Sequence, residues 1–118
     1  MFKLTHKGVT APKHLPEKED CSIRSVANAS SKPYEEVHQV MKDLGRTNGL
    51  PMNVQKFAAG CMKTGGKLFI CESLNDYRLK QGTYVVITQQ HSFCLKNGGI
   101  VDTIKPDLSE RLLGIFKF

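Results

Sequence analysis

The dipeptide Asn97-Gly98 constrains this chain more than any other two residues. Both central positions of a type I′ turn need positive φ, which Asn and Gly tolerate, so the pair between two apolar runs marks a two-residue β-hairpin. The turn sets a register: Lys96 faces Gly99, Leu95 faces Ile100, and Phe93 faces Asp102. Strand side chains alternate, so His91, Phe93, Leu95, Ile100 and Asp102 are expected on one face. His91 and Asp102 then lie diagonally across the ladder, roughly 7–8 Å apart at their α-carbons, within reach of an imidazole–carboxylate bond. An aspartate alone on such an apolar face would be costly to bury. Pairing with His91 removes that cost and fixes the ring tautomer.

Upstream of the hairpin the periodicity is helical. Ile23, Val26 and Ala27 fall at i, i+3 and i+4 and predict a helix over 21–30, with Asp20 as its N-cap. Pro33 suits the first turn of a second helix, in which Tyr34, Val37, Met41 and Leu44 share a face and Gly45 ends it. A third helix near 53–63 places Val54, Phe57, Ala58 and Cys61 on one stripe and stops at Gly65-Gly66. Strands are expected at Lys67–Glu72, at Thr83–Thr88, in the hairpin from 91 to 104, and in the apolar tail from Leu112. A short helix or turn capped by Ser73 stands between the first two. Residues 1–20, with two prolines and many charges, read as an extended lead-in without regular helix. The order predicts one α+β domain over 1–118, its N-terminal helices packed on a C-terminal antiparallel sheet.

Composition narrows the partners. A chain of 118 residues can bury about two-thirds of its unfolded surface, enough for a core without staples. The net charge of +6 favours acidic partners, nucleic acid first among them. The basic residues are scattered, however, with no basic run and no aromatic interleaving, and a basic surface that aids solubility accounts for them as well. Cysteines stand at 21, 61, 71 and 94, with no CxxC pair and no standard zinc spacing. No metal or cofactor is expected. No apolar leader-like stretch opens the chain, so the expectation is a cytoplasmic protein with free thiols. No run approaches the ~18 apolar residues of a membrane span, and no membrane partner is expected.

Chemistry concentrates at Cys21. The thiolate is the reactive form, and a helix N-terminus lowers a thiol's pKa. Asp20 opposes that effect unless its carboxylate turns back to cap the helix. Cys61 on its apolar stripe, and Cys71 and Cys94 in strands, read as small buried hydrophobes. His6 and His14 fall in the lead-in, and His38 reads as a surface or boundary residue. The expected site is therefore Cys21 as nucleophile, His91 as general base and Asp102 orienting the ring. The backbone N–H of Cys21 and the helix N-terminus would stabilise an oxyanion.

In chain order, Asp20-Cys21 at a helix start, His91 after the strand Gly82-Thr-Tyr-Val-Val-Ile-Thr88, and Asp102 on the next strand resemble a minimal papain-like cysteine peptidase core. The likeness is nearest to the bacteriocin-leader-processing peptidases. The chain is also similar to small phage and bacterial proteins that join an Asp-Cys-x-x-Arg-x-x-Ala helix, here Asp20 to Ala27, to a Pro-Tyr-x-x-Val helix, here Pro33 to Val37. The resemblance covers residues 15–104. It implies a papain-like fold, Cys21, His91 and Asp102 as catalytic residues, a protein or peptide substrate, and a phage or mobile-element origin in a host cytoplasm. Papain-like enzymes usually supply an oxyanion-hole glutamine about six residues before the cysteine. Here Leu15 stands there between His14 and Pro16, and the glutamines nearest His91 are Gln89 and Gln90. A short chain of this kind fits a narrow thiol hydrolase or acyl-transfer activity on one peptide, isopeptide or amide bond.

Two other readings stand beside it. Residues 26–37 have the cadence of a helix-turn-helix, although Glu35 and Glu36 would open its recognition helix against phosphates. Alternatively, a papain-like scaffold without turnover would bind a host or partner protein, since fold does not imply function.

Overall fold

In the computed structural model, which describes residues 2–118, the chain forms β1 (Lys3–His6), α1 (Cys21–Ser30), α2 (Tyr34–Asp43) and α3 (Val54–Lys63). There follow β2 (Lys67–Leu68), a 3₁₀ turn (Tyr77–Lys80), β3 (Thr83–Thr88), β4 (Ser92–Lys96), β5 (Gly99–Val101) and β6 (Leu112–Lys117). The class is α+β, with the helices preceding most of the strands.

The six strands make one sheet in the order β1-β5-β4-β3-β6-β2. The hairpin has the expected turn, with Asn97 at φ 49° and Gly98 at φ 81°. Its register pairs Lys96 with Gly99, Leu95 with Ile100 and Cys94 with Val101. The sheet is mixed rather than wholly antiparallel, because β1 lies parallel to β5. The lead-in thus contributes an edge strand. A parallel pair needs a long crossover, and the chain from α1 through β4 supplies it.

The sheet is buried on both faces. On one, Val85, Ile87, Cys94, Val101 and Phe116 pack against Ile23, Val26 and Ala27 of α1, with Tyr34, Val37 and Met41 of α2 and Phe57 of α3 completing the layer. On the other, Tyr84, Val86, Phe93, Leu95, Ile100 and Ile115 pack beneath Leu74 and Leu79. Coverage on both sides explains why β3 reads as a continuous apolar run rather than an alternation.

Several boundaries differ from expectation for identifiable reasons. Asp20 precedes α1 but makes no side-chain cap; its backbone carbonyl accepts from Ile23 N and Arg24 N, both at 3.0 Å. Its carboxylate is engaged elsewhere, as described below. The stretch expected as a strand over Lys67–Glu72 pairs only through Leu68, with Phe69 N still donating to Ile115 O at 2.9 Å before the chain leaves the sheet. Asp76, not Ser73, caps the 3₁₀ turn by accepting from Arg78 N. Val54 is 44% exposed and leaves the buried stripe of α3 to Phe57 and Cys61. No helix among the described residues is long and apolar enough to cross a membrane.

Candidate active site

β3 and β4 are joined by a tight connection at Gln89-Gln90. Thr88 N donates to His91 O at 2.8 Å, and Thr88 Oγ1 lies 3.0 Å from the same carbonyl. Glu110 braces the loop from the side, accepting from Thr88 Oγ1 at 2.8 Å and from Gln90 N at 2.9 Å. His91 therefore stands on a fixed backbone just before β4. Across the sheet, Asp102 follows β5, and its backbone N donates to His6 O at 3.0 Å.

His91 and Asp102 meet: His91 Nε2 lies 2.7 Å from Asp102 Oδ2. The carboxylate accepts, so Nε2 carries the proton and Nδ1 is left as the ring's base. The route differs from the expected shared strand face. Phe93, Leu95 and Ile100 pack in the layer away from α1, whereas Asp102 reaches Arg24 on α1. The β4–β5 ladder ends at Cys94 and Val101, so neither polar residue is bound by its alternation. Burying both in the apolar layer would have cost far more than leaving the ladder.

Arg24 organises the carboxylates around this pair. Its Nη1 donates to Asp102 Oδ1 at 2.6 Å and to Thr103 Oγ1 at 3.2 Å, and its Nε donates to Asp20 Oδ1 at 2.9 Å. Tyr34 Oη donates to the other Asp20 oxygen at 2.8 Å. This is why Asp20 does not cap α1, and it also answers the electrostatic objection to a carboxylate beside Cys21. Asp102 Oδ1 further accepts from Thr103 N at 2.7 Å, so both its oxygens are satisfied. Burial pushes the Asp102 carboxyl up, but the bonds from His91, Thr103 N and Arg24 outweigh it and hold it low. The sequence marked Arg24 by its i, i+4 spacing from Asp20 and by its place in the Asp-Cys-x-x-Arg-x-x-Ala helix.

Cys21 opens α1 against the same imidazole. Burial raises its pKa, but hydrogen bonding to His91 and Ser92 and the charge of His91 prevail, and the thiol is lowered. His91 moves the other way, pushed up to about 9 by its bond to Asp102 and then by Cys21, against burial. Burial instead pushes Cys94 up to about 12 and raises Cys61 further. Cys71 is raised as well, chiefly by burial. Cys21 is thus the one cysteine whose surroundings favour thiolate.

Cys21 and His91 open on a cavity of about 310 Å³, walled on one side by Pro51, Met52, Val54, Phe57 and Ile87 and rimmed by Glu19, Gln89 and Gln90. The exposed Val54 finds its role here. Ile23 N and Arg24 N are taken by Asp20 O, which leaves the N–H groups of Cys21 and Ser22 as the first-turn donors beside the thiol. A larger hollow of about 550 Å³ between Leu74, Asp76, Lys80 and Gly98 holds no cysteine.

The segment before Cys21 is held by a buried ionic cluster that sequence reasoning missed. Glu17 Oε2 accepts from Arg46 Nη1 at 3.1 Å and pairs with His38 Nε2 at 2.9 Å; Glu17 Oε1 accepts from Gly49 N at 2.5 Å. His38, expected at the surface or boundary, is only 6% exposed because it supplies this contact. Arg46 Nη2 also donates to Lys18 O at 3.2 Å and to Glu19 O at 3.3 Å.

No protein-family model matches this chain, and no curated protein or solved structure matches it either.

Proposed function

We propose that this chain is a papain-like thiol hydrolase or acyl-transfer protein acting on a peptide, isopeptide or amide bond. Cys21 is the nucleophile, His91 the general base and acid, and Asp102 the residue that orients the ring. The observation that carries this reading is the position of His91, bonded to a buried carboxylate at 2.7 Å and set against the one thiol whose pKa is lowered.

In the reaction, Cys21 Sγ attacks the carbonyl carbon as thiolate, the C–S bond forms, and the carbonyl electron pair moves to oxygen. The Cys21 and Ser22 N–H groups and the positive end of α1 receive that charge. The tetrahedral adduct collapses, the C–N bond breaks, and the amine leaves with the proton held by His91. Water, or an acceptor amine, then gives His91 a proton as it attacks the thioester, and the thiol is regenerated. The pairing of His91 with Asp102 keeps the imidazolium available between these steps.

The test is competitive alkylation with iodoacetamide followed by mass spectrometry. Cys21 should label at least tenfold faster than Cys61, Cys71 or Cys94 at neutral pH, and His91→Ala should remove that preference. Equal, slow labelling of all four cysteines overturns the reading. A preference for Cys21 with no turnover of any peptide or amide library would favour the scaffold that binds without catalysis.

A further inference from the structure

Among the residues that line the cavity holding Cys21 and His91, the exposed Glu19 is the one acid. The other acids nearby are all occupied: Asp20 and Asp102 by Arg24, Glu17 by Arg46 and His38, Glu110 by Thr88 and the Gln90 N–H. Among the described residues the Glu19 side chain takes no hydrogen-bond or ion-pair partner. In a chain with 17 basic and 11 acidic residues, an unpartnered acid at the mouth of a thiol site is a specific placement.

The backbone makes that placement deliberate. Glu19 sits at φ 52°, a left-handed conformation uncommon for a residue with a Cβ. It is held there by Arg46, whose buried guanidinium grips the carbonyls of Lys18 and Glu19 while Glu17 neutralises it. Strained residues over-determined by their surroundings cluster at ligand sites. No lysine or arginine lines the cavity, so Glu19 is the one formal charge outside the Cys21–His91 pair among its lining residues.

We propose that Glu19 selects a cationic substrate: the peptide or amide taken at Cys21 carries a lysine- or arginine-type cation beside the reacting carbonyl. The inference rests on the thiol-nucleophile reading above. The flexible cation reaches Glu19 at the rim while the apolar wall of Met52 and Phe57 takes its neighbour.

Methanethiosulfonates bearing an ethylammonium, an ethyl or an ethylsulfonate group test this directly. All three react by one step, in which the Cys21 thiolate attacks the divalent sulfur, a disulfide forms and methanesulfinate leaves. Rates are read by mass spectrometry on the Cys71→Ser protein and normalised to those of a small free thiol. The ammonium-to-sulfonate ratio should fall roughly 3–10-fold in Glu19→Gln, the effect of one charge across a partly hydrated cavity. It should fall further in Glu19→Lys and stay unchanged in Glu72→Gln, a distant exposed acid. Ratios unmoved by both Glu19 substitutions overturn the proposal while leaving Cys21 as nucleophile. The neutral reagent separates the two ideas: if its rate at Cys21 matches the small free thiol's and is unaltered by His91→Ala, the thiol-site reading itself falls.

Discussion

One guanidinium, that of Arg24, bridges two buried carboxylates beside Cys21. Asp20 and Asp102 are 8% and 3% exposed, and one guanidinium answers both. Arg24→Met should destabilise the fold by about 3–5 kcal/mol, the cost of stranding buried charge, as read by urea unfolding at neutral pH. Arg24→Lys should recover only part of this, since an ammonium cannot form the same planar fork. The shifts at His91 and Cys21 give a second expectation. His91 is raised from 6.5 to about 9, so its stabilising contribution is complete below 6.5 and disappears as pH rises through about 9. Cys21 is lowered, so the thiolate–imidazolium pair occupies the window between the two. Turnover should be bell-shaped with a basic limb near pH 9, and in His91→Ala the acid limb of Cys21 alkylation should climb to that of an ordinary thiol. Cys21, His91 and Asp102 could be singled out from sequence because each sits next to a local signal: a helix start, a strand head, a hairpin register. Arg24 lies within the Asp-Cys-x-x-Arg-x-x-Ala motif, but its second partner is 78 residues away and leaves no local trace.

The hairpin of β4 and β5 is the element on which the site depends, since His91 and Asp102 flank its two ends. Asn97 holds it twice over, by accepting positive φ and by taking a hydrogen bond from Gly82 N at 3.0 Å through Oδ1. Asn97→Ala should cost about 1–2 kcal/mol in denaturant unfolding, and Asn97→Gly clearly less, because glycine restores the backbone freedom though not the bond. Turn chemistry and apolar periodicity made α1, β3, β6 and the hairpin register readable. The same alternation rule placed His91 and Asp102 on the wrong face, because it assumes the ladder continues, and the last β4–β5 pair is Cys94 with Val101. β1 was hidden for a related reason: all four of its residues are exposed, so no burial pattern marks it as a strand.

Across the whole molecule, the buried Glu17–His38–Arg46 cluster ties the lead-in to α2 and to the loop after it. Burial pushes the Glu17 carboxyl up, but its bonds to Arg46, His38 and Gly49 N hold it at about 2. A lowered carboxyl contributes stability that is present above its ordinary value of 4.5 and lost as pH falls toward 2. The melting temperature should therefore drop across that acid window. Glu17→Gln should flatten the drop and lower stability at pH 7 by about 3–5 kcal/mol, because Arg46 then keeps its buried charge alone. Nothing in the sequence joins these residues; their separations of 21 and 29 positions follow no helical or strand period. Distance along the chain has another consequence. β1 joins β5 through contacts such as Thr5 to Ile100, 95 residues apart, and Arg24 waits 78 residues for Asp102. At a synthesis rate of roughly 5–20 residues per second, Arg24 is made some 4–16 seconds before its partner exists. Until His91 and Ser92 are made, some 70 residues after Cys21, that thiol lacks the two neighbours that lower its pKa.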